Sequence, residues 1–127
     1  MKKWLLPLAL IAAPVSLYPT LSITSAYAAQ QTSELGDLTS FETVVNDTLV
    51  LVDKGELKAA RKRIKDFETA WDKAEPTLRP KNKDKWGVID DAADAAIASL
   101  RARKPSAADA QTTVSALIDA LKNPTAE

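Results

Sequence analysis

No histidine and no cysteine occur in the 127 residues, and the one methionine is Met1. Haem ligation, the usual zinc sites and copper sites draw on those side chains. A chain processed past Met1 has none of them. Histidine-based acid–base catalysis and a Ser-His-Asp triad are excluded on the same ground. Without cysteine there is no disulfide to help in an oxidising compartment, so stability must come from packing. Three glycines, Gly36, Gly55 and Gly87, make no phosphate-cradling loop. Acid–base chemistry would rest on carboxylates and lysines alone. The expectation is therefore a protein that is not an enzyme and carries no cofactor. Acidic and basic residues balance at a formal charge of zero, which gives no footprint for nucleic acid.

Long uncharged stretches are also scarce, with one exception. After the basic start Met1-Lys2-Lys3, no charge appears from Trp4 to Ala29. The segment from Trp4 to Tyr18 is almost wholly apolar, and Ser25-Ala26-Tyr27-Ala28 offers small residues at A-x-A spacing. This is the pattern of a secretory signal peptide, residues 1–28, cut after Ala28. The competing reading is an uncleaved N-terminal membrane anchor. Pro7, Pro14 and Pro19 interrupt it, and its second half is rich in Ser and Thr. An exported protein, periplasmic or secreted, is expected. Loss of Lys2 and Lys3 tips the balance to a small net negative charge.

What remains is helical in pattern throughout. Residues 29–38 read as a polar, frayed lead-in. Thr39 and Glu42 form a T-x-x-E start, and Phe41, Val44, Val45, Thr48, Leu49 and Val52 then share one helix face. Gly55 ends that helix, and Asp53 or Glu56 is expected to cap the next. Leu57, Ala60, Ile64, Phe67, Trp71 and Ala74 make its seam, in alternating steps of three and four. Pro76 is expected to stop it, leaving a loop from about Glu75 to Asn82. A third helix from Lys83 to Arg103 carries Trp86, Ile89, Ala93, Ala96, Ile97 and Leu100. Ser106 and Asp109 open a fourth, with Ala110, Val114, Leu117, Ile118 and Leu121 on its inner face and Pro124 closing it. Nothing reads as a strand. Short turns near Gly55 and Pro105 make antiparallel neighbours. The fold class is all-α: an up-down-up-down four-helix bundle over residues 39–123, with a tail at 124–127.

That topology predicts two distinct ends. Trp71, Trp86, Phe41, Phe67 and Leu121 gather at one, by the central loop. Asp90, four residues after Trp86, falls beside the buried stripe and needs a partner, either a tryptophan N–H or Arg79. Lys54, Lys58, Arg61, Lys62, Arg63 and Lys65 crowd the first half of the second helix, the end its dipole reserves for anions. With Arg101, Arg103 and Lys104 they form a basic cap at the other end, partly offset by Asp47, Asp53, Glu56 and Asp109. A cap of this kind fits an anionic membrane surface or an acidic envelope protein, although a solvated run with local ion pairs is the plainer account. Carboxylates supply the alternative. Glu68 and Asp72 on the second helix face Asp90 and Asp94 on the third, where oxygen ligands could hold a hard cation. Lys73, Lys81, Lys83 and Lys85 compete for them, and a salt-bridged face is the simpler outcome.

One set of residues resembles a known group. Gly55-Glu56-Leu57, Arg63-Ile64, Phe67-Glu68, Trp71-Asp72, Arg79-Pro80, Trp86, Asp90, Asp94 and Leu100-Arg101 follow a shared pattern. The pattern is that of short exported bacterial helical proteins: G-[DE]-L, then FE-x-x-WD, then W-x-x-x-D-x-x-x-D and L-R. It spans about half of the chain past Ala28. The resemblance brings no assigned activity with it. Such proteins are sometimes labelled histidine kinases, but this chain has neither a phosphoacceptor histidine nor a nucleotide loop. The bundle plan is also similar to that of cytochrome b562, whose haem ligands have no counterparts here. Sequence alone thus leads to an exported binding or accessory bundle, monomeric or weakly dimeric, with Trp71, Trp86, Asp90, Arg79, Arg61, Arg63 and Arg101 as candidate interaction residues.

Overall fold

The computed structural model describes residues 34–124, which hold four α-helices. They are α1 (Thr39–Asp53), α2 (Leu57–Leu78), α3 (Lys83–Arg101) and α4 (Ala107–Lys122). The signal-peptide assignment and most of the tail lie outside the described residues. Each helix packs on two neighbours: α1 on α2 and α4, α3 on α2 and α4. This is the expected four-helix bundle. The α2–α3 contact is the least extensive of the four.

The apolar stripes read from the sequence form the core. Val45, Thr48 and Val52 of α1, Ala60, Ile64, Phe67 and Trp71 of α2, and Ile89, Ala93, Ala96, Ile97 and Leu100 of α3 are buried. So are Ala110, Val114, Leu117, Ile118 and Leu121 of α4. Thr48 tolerates full burial because its hydroxyl donates to the Val44 carbonyl, 2.9 Å away. The Ser99 and Thr113 hydroxyls meet between α3 and α4 at 2.7 Å.

Five expectations need correction. Residues 34–38 are not a frayed lead-in, since Leu35 and Leu38 are buried in the core. Nor does Pro124 dangle as tail, for it too is buried. Thr39 is not the cap of α1. The helix begins at Thr39, and the side chain of Asp37 accepts from the Thr39 N–H at 2.9 Å. Hydrogen bonding from Thr39 holds the Asp37 carboxyl below its usual range. Neither Asp53 nor Glu56 caps α2, which has no side-chain cap. Finally, Pro76 lies inside α2 rather than ending it. Proline forfeits one hydrogen bond and crowds the preceding turn, but its fixed φ suits a helix. Burial of Leu78 secures the last turn, and the Arg79 N–H closes it on the Glu75 carbonyl at 3.0 Å.

The turns explain the short connections. Gly55 adopts a φ of 74°, the left-handed conformation that reverses the chain after α1. The Glu56 N–H reaches the Leu51 carbonyl and the Gly55 N–H reaches Val52, both at 2.9 Å, which completes a Schellman motif. Asn82 caps α3, accepting from the Lys85 N–H at 3.0 Å. Ser106 caps α4 through a longer contact, 3.4 Å, to the Asp109 N–H.

Candidate functional site

The aromatic end assembles as the topology requires. Phe67 and Trp71, one helical turn apart on α2, stack at 5.7 Å with their planes 15° apart. Trp71 stacks in turn on Trp86 of α3 at 5.8 Å, within 8° of parallel. Phe41 of α1 stands edge-on to both α2 rings, 6.0 Å from Phe67 and 5.3 Å from Trp71. Offset stacks and edge-to-face contacts at these separations are attractive beyond the area they bury. The Arg79 guanidinium lies over the outer face of Trp86, 5.2 Å from the ring centre. Three rings and a cation thus form one continuous stack.

Asp90 closes the inner part of this cluster. Its Oδ1 accepts from the Trp71 indole Nε1 at 3.1 Å, one of the two partnerships expected from sequence. Arg79 is not its partner: that side chain pairs with Glu75 at 3.0 Å while covering Trp86. Burial pushes the Asp90 carboxyl above its ordinary value; the Trp71 bond opposes this, and Asp94, Glu75 and Asp91 add to the upward push. The Trp86 indole Nε1 is buried and has no hydrogen-bond partner among the described residues. The rings of this end meet one another directly.

The acidic set does not converge. Asp72 and Asp94 are exposed, Asp90 is held by Trp71, and Glu68 pairs with Arg101 at 2.5 Å. Among the described residues no group of three or more histidine, cysteine or carboxylate side chains is placed to hold a metal ion. The alternative built on Glu68, Asp72, Asp90 and Asp94 therefore lacks the ligand cluster it needs.

At the opposite end a charged groove is present. Lys58, Arg61, Lys62 and Lys65 line it from α2, and Arg101 lines it from the end of α3, around about 350 Å³. Positions 58, 61, 62 and 65 fall on one helical stripe, turned away from the buried stripe of Ala60, Ile64 and Phe67. Among the described residues none of these four cations reaches a carboxylate at salt-bridge distance, whereas Arg101 does. Arg63, expected to belong here, points elsewhere. It bridges Asp47 of α1 at 2.9 Å and Asp66 at 3.0 Å, so it ties α1 to α2. The bond to Asp47 chiefly, then that to Asp66, holds its guanidinium above the usual arginine value.

A second depression adjoins the groove. Gly55, Glu56, Leu57, Lys58, Ala59 and Pro105 surround about 580 Å³ of open, mostly apolar space where the two short turns meet. Lys58 borders both features. Sequence reading found the cations but missed this apolar neighbour, because it depends on two turns distant in sequence meeting at one end. No helix among the described residues is long and apolar enough to cross a membrane. In comparisons with known proteins, no family model, no curated protein and no solved structure matches the chain.

Proposed function

We propose that this chain is an exported, non-enzymatic binding module, and that its working surface is the basic groove where α2 meets the end of α3. The observation that carries this reading is the stripe Lys58, Arg61, Lys62 and Lys65 beside Arg101, a stripe with no ion-pair partner among the described residues. Here Arg63, on the same half of the same helix, is paired twice, while the four stripe cations share one wall without a carboxylate. Their shared positive potential favours an anionic partner. The aromatic end, filled by its own rings, serves as the plug that fixes the bundle.

Salt-dependent retention on an immobilised polyanion such as heparin tests the reading. The wild-type chain is expected to be retained at about 50 mM salt and released within a few hundred millimolar, as screening shortens the Debye length. Replacement of Arg61 and Lys62 by Gln should release it at distinctly lower salt with an unchanged circular dichroism spectrum. Elution of that folded variant at the wild-type position would count against the groove as the working surface.

A further inference from the structure

The apolar depression beside the groove narrows the partner. Resting on the reading of the basic groove as the working surface, we infer that this end of the bundle docks on an anionic lipid bilayer. Cations meet the headgroup phosphates while the apolar turn surface settles at the headgroup boundary. The two features share Lys58 and occupy one end of the molecule. The depression is open and mostly apolar, lined by the half-buried Leu57 and Pro105 and the exposed Ala59. Val50, the most exposed large apolar side chain among the described residues at 51%, sits one turn from the finish of α1, at this same end.

Charge and shape favour a lipid surface over an acidic peptide. An extended peptide held by strand-like pairing needs free main-chain donors and acceptors to fix its register. The turn amides of Gly55 and Glu56 are already spent on Val52 and Leu51. What remains is a row of long cationic side chains beside an apolar tip, which matches a phosphate layer over hydrocarbon. Long lysine stems can lie along apolar surface and hold their ammonium groups at the phosphate level. Facing carboxylates are few. Glu56 borders the depression, Asp53 and Asp109 flank it on α1 and α4, and Glu68 is neutralised by Arg101. Each cation near an anionic leaflet strengthens partitioning by about fivefold. Four such cations together strengthen partitioning by roughly 600-fold, and the apolar tip adds to this.

The absence of cysteine makes the test direct, because one introduced thiol gives a unique label. The chain from Ala29 onward contains every residue of the described core and is the exported form proposed above. An environment-sensitive fluorophore is attached at Ala59→Cys on the tip or at Asp72→Cys on the acidic face. Each protein is titrated with vesicles of phosphatidylcholine containing phosphatidylglycerol, and with phosphatidylcholine alone. Binding to the anionic vesicles only is expected, with a blue shift at 59 and none at 72. Lys62→Gln with Lys65→Gln should weaken partitioning by about 25-fold. Retention on heparin with no vesicle binding would overturn the membrane inference and leave the basic-groove reading standing, with an acidic macromolecule as its partner. Failure to bind either probe would overturn both. Vesicle binding without a shift at 59 would refute the seating of the apolar tip.

Discussion

Removing the Asp90 carboxylate separates its two opposing effects. It accepts from the Trp71 indole at 3.1 Å, and its own charge is half-buried. Asp90→Ala leaves a buried indole N–H without an acceptor, a loss of about 1–3 kcal/mol. Asp90→Asn keeps an acceptor oxygen in place and removes the charge. At neutral pH the Asn variant should equal or exceed wild type in stability while the Ala variant falls below both. In a domain of this size each kcal/mol moves Tm by about 4–8 °C, so the two variants separate clearly in thermal melts. The hydrogen bond itself is isolated by a cycle with Trp71→Phe. In that background Asp90→Ala should cost about 1–2 kcal/mol less than in wild type, measured by urea unfolding followed through far-UV ellipticity. The pH dependence has a definite sign. Burial, first, holds the Asp90 carboxyl above its ordinary 3.8, with Asp94, Glu75 and Asp91 assisting. The folded state therefore keeps this proton where the unfolded chain has lost it. The stability Asp90 adds is fully present below the unfolded value and is lost as pH rises through the folded value. The difference between wild type and Asp90→Asn should accordingly fall as pH rises from about 3.8 and level off above the folded value. If Asn proves as damaging as Ala, or the cycle shows no coupling, the geometry of this pair does not stabilise the plug.

Three further outcomes follow from local geometry. Gly87 lies within α3, and a Cβ there meets nothing within 4 Å. Gly87→Ala should raise stability by about 0.5–1 kcal/mol in a chemical unfolding curve, and a loss would reveal a close contact at that face. Gly55 holds a φ of 74° with open space around it, so Gly55→Ala should cost about 1–2 kcal/mol from backbone strain alone. Capping predicts an order: Asn82→Ala, which breaks a 3.0 Å bond to the Lys85 N–H and a 2.6 Å bond to Glu34, should lose about 1 kcal/mol or more. Ser106→Ala breaks a 3.4 Å contact and should lose less; equal losses in thermal melts would contradict the distances.

The helical stripes were legible because burial follows a simple period. Every residue assigned to the inner faces of the third and fourth helices is buried or packed against the core. Helix ends were less legible, because two solutions compete at each. Thr39 and Glu42 satisfy the capping-box pattern, yet Asp37 two residues earlier takes the exposed amide and Thr39 enters the helix. Pro76 carries a strong stop signal, and the burial of Leu78 outweighs it. Leu35 was lost in a polar neighbourhood with no period to flag it, though it is fully buried. At the aromatic end the cluster and the Asp90 bond follow from heptad spacing and topology. The choice of Trp71 over Arg79 does not, since it turns on where one flexible arginine settles. Arg63 and Arg61 are two residues apart in one basic run. Only the helical rotation sends one to Asp47 and the other to the groove.

The stripe cations also make a stability argument for their role. Lys58 and Lys62, and Arg61 and Lys65, are like charges four residues apart, and Lys62 and Lys65 are three apart. Such pairs destabilise a helix by about 0.2–0.5 kcal/mol each. The cations also occupy the N-terminal half of α2, whose start has no acidic residue in its first turn and no side-chain cap to offset them. Nothing in the fold requires this crowding, because the buried face of α2 is complete without it. Lys62→Gln with Lys65→Gln should therefore raise stability by about 0.5–1.5 kcal/mol at low salt while it abolishes most anionic binding. The gain should shrink at about 0.5 M salt, where exposed charges no longer feel one another. A double variant that melts lower than wild type would mean the lysine stems help hold α2 on the bundle. The stripe would then be explained by packing, without a partner.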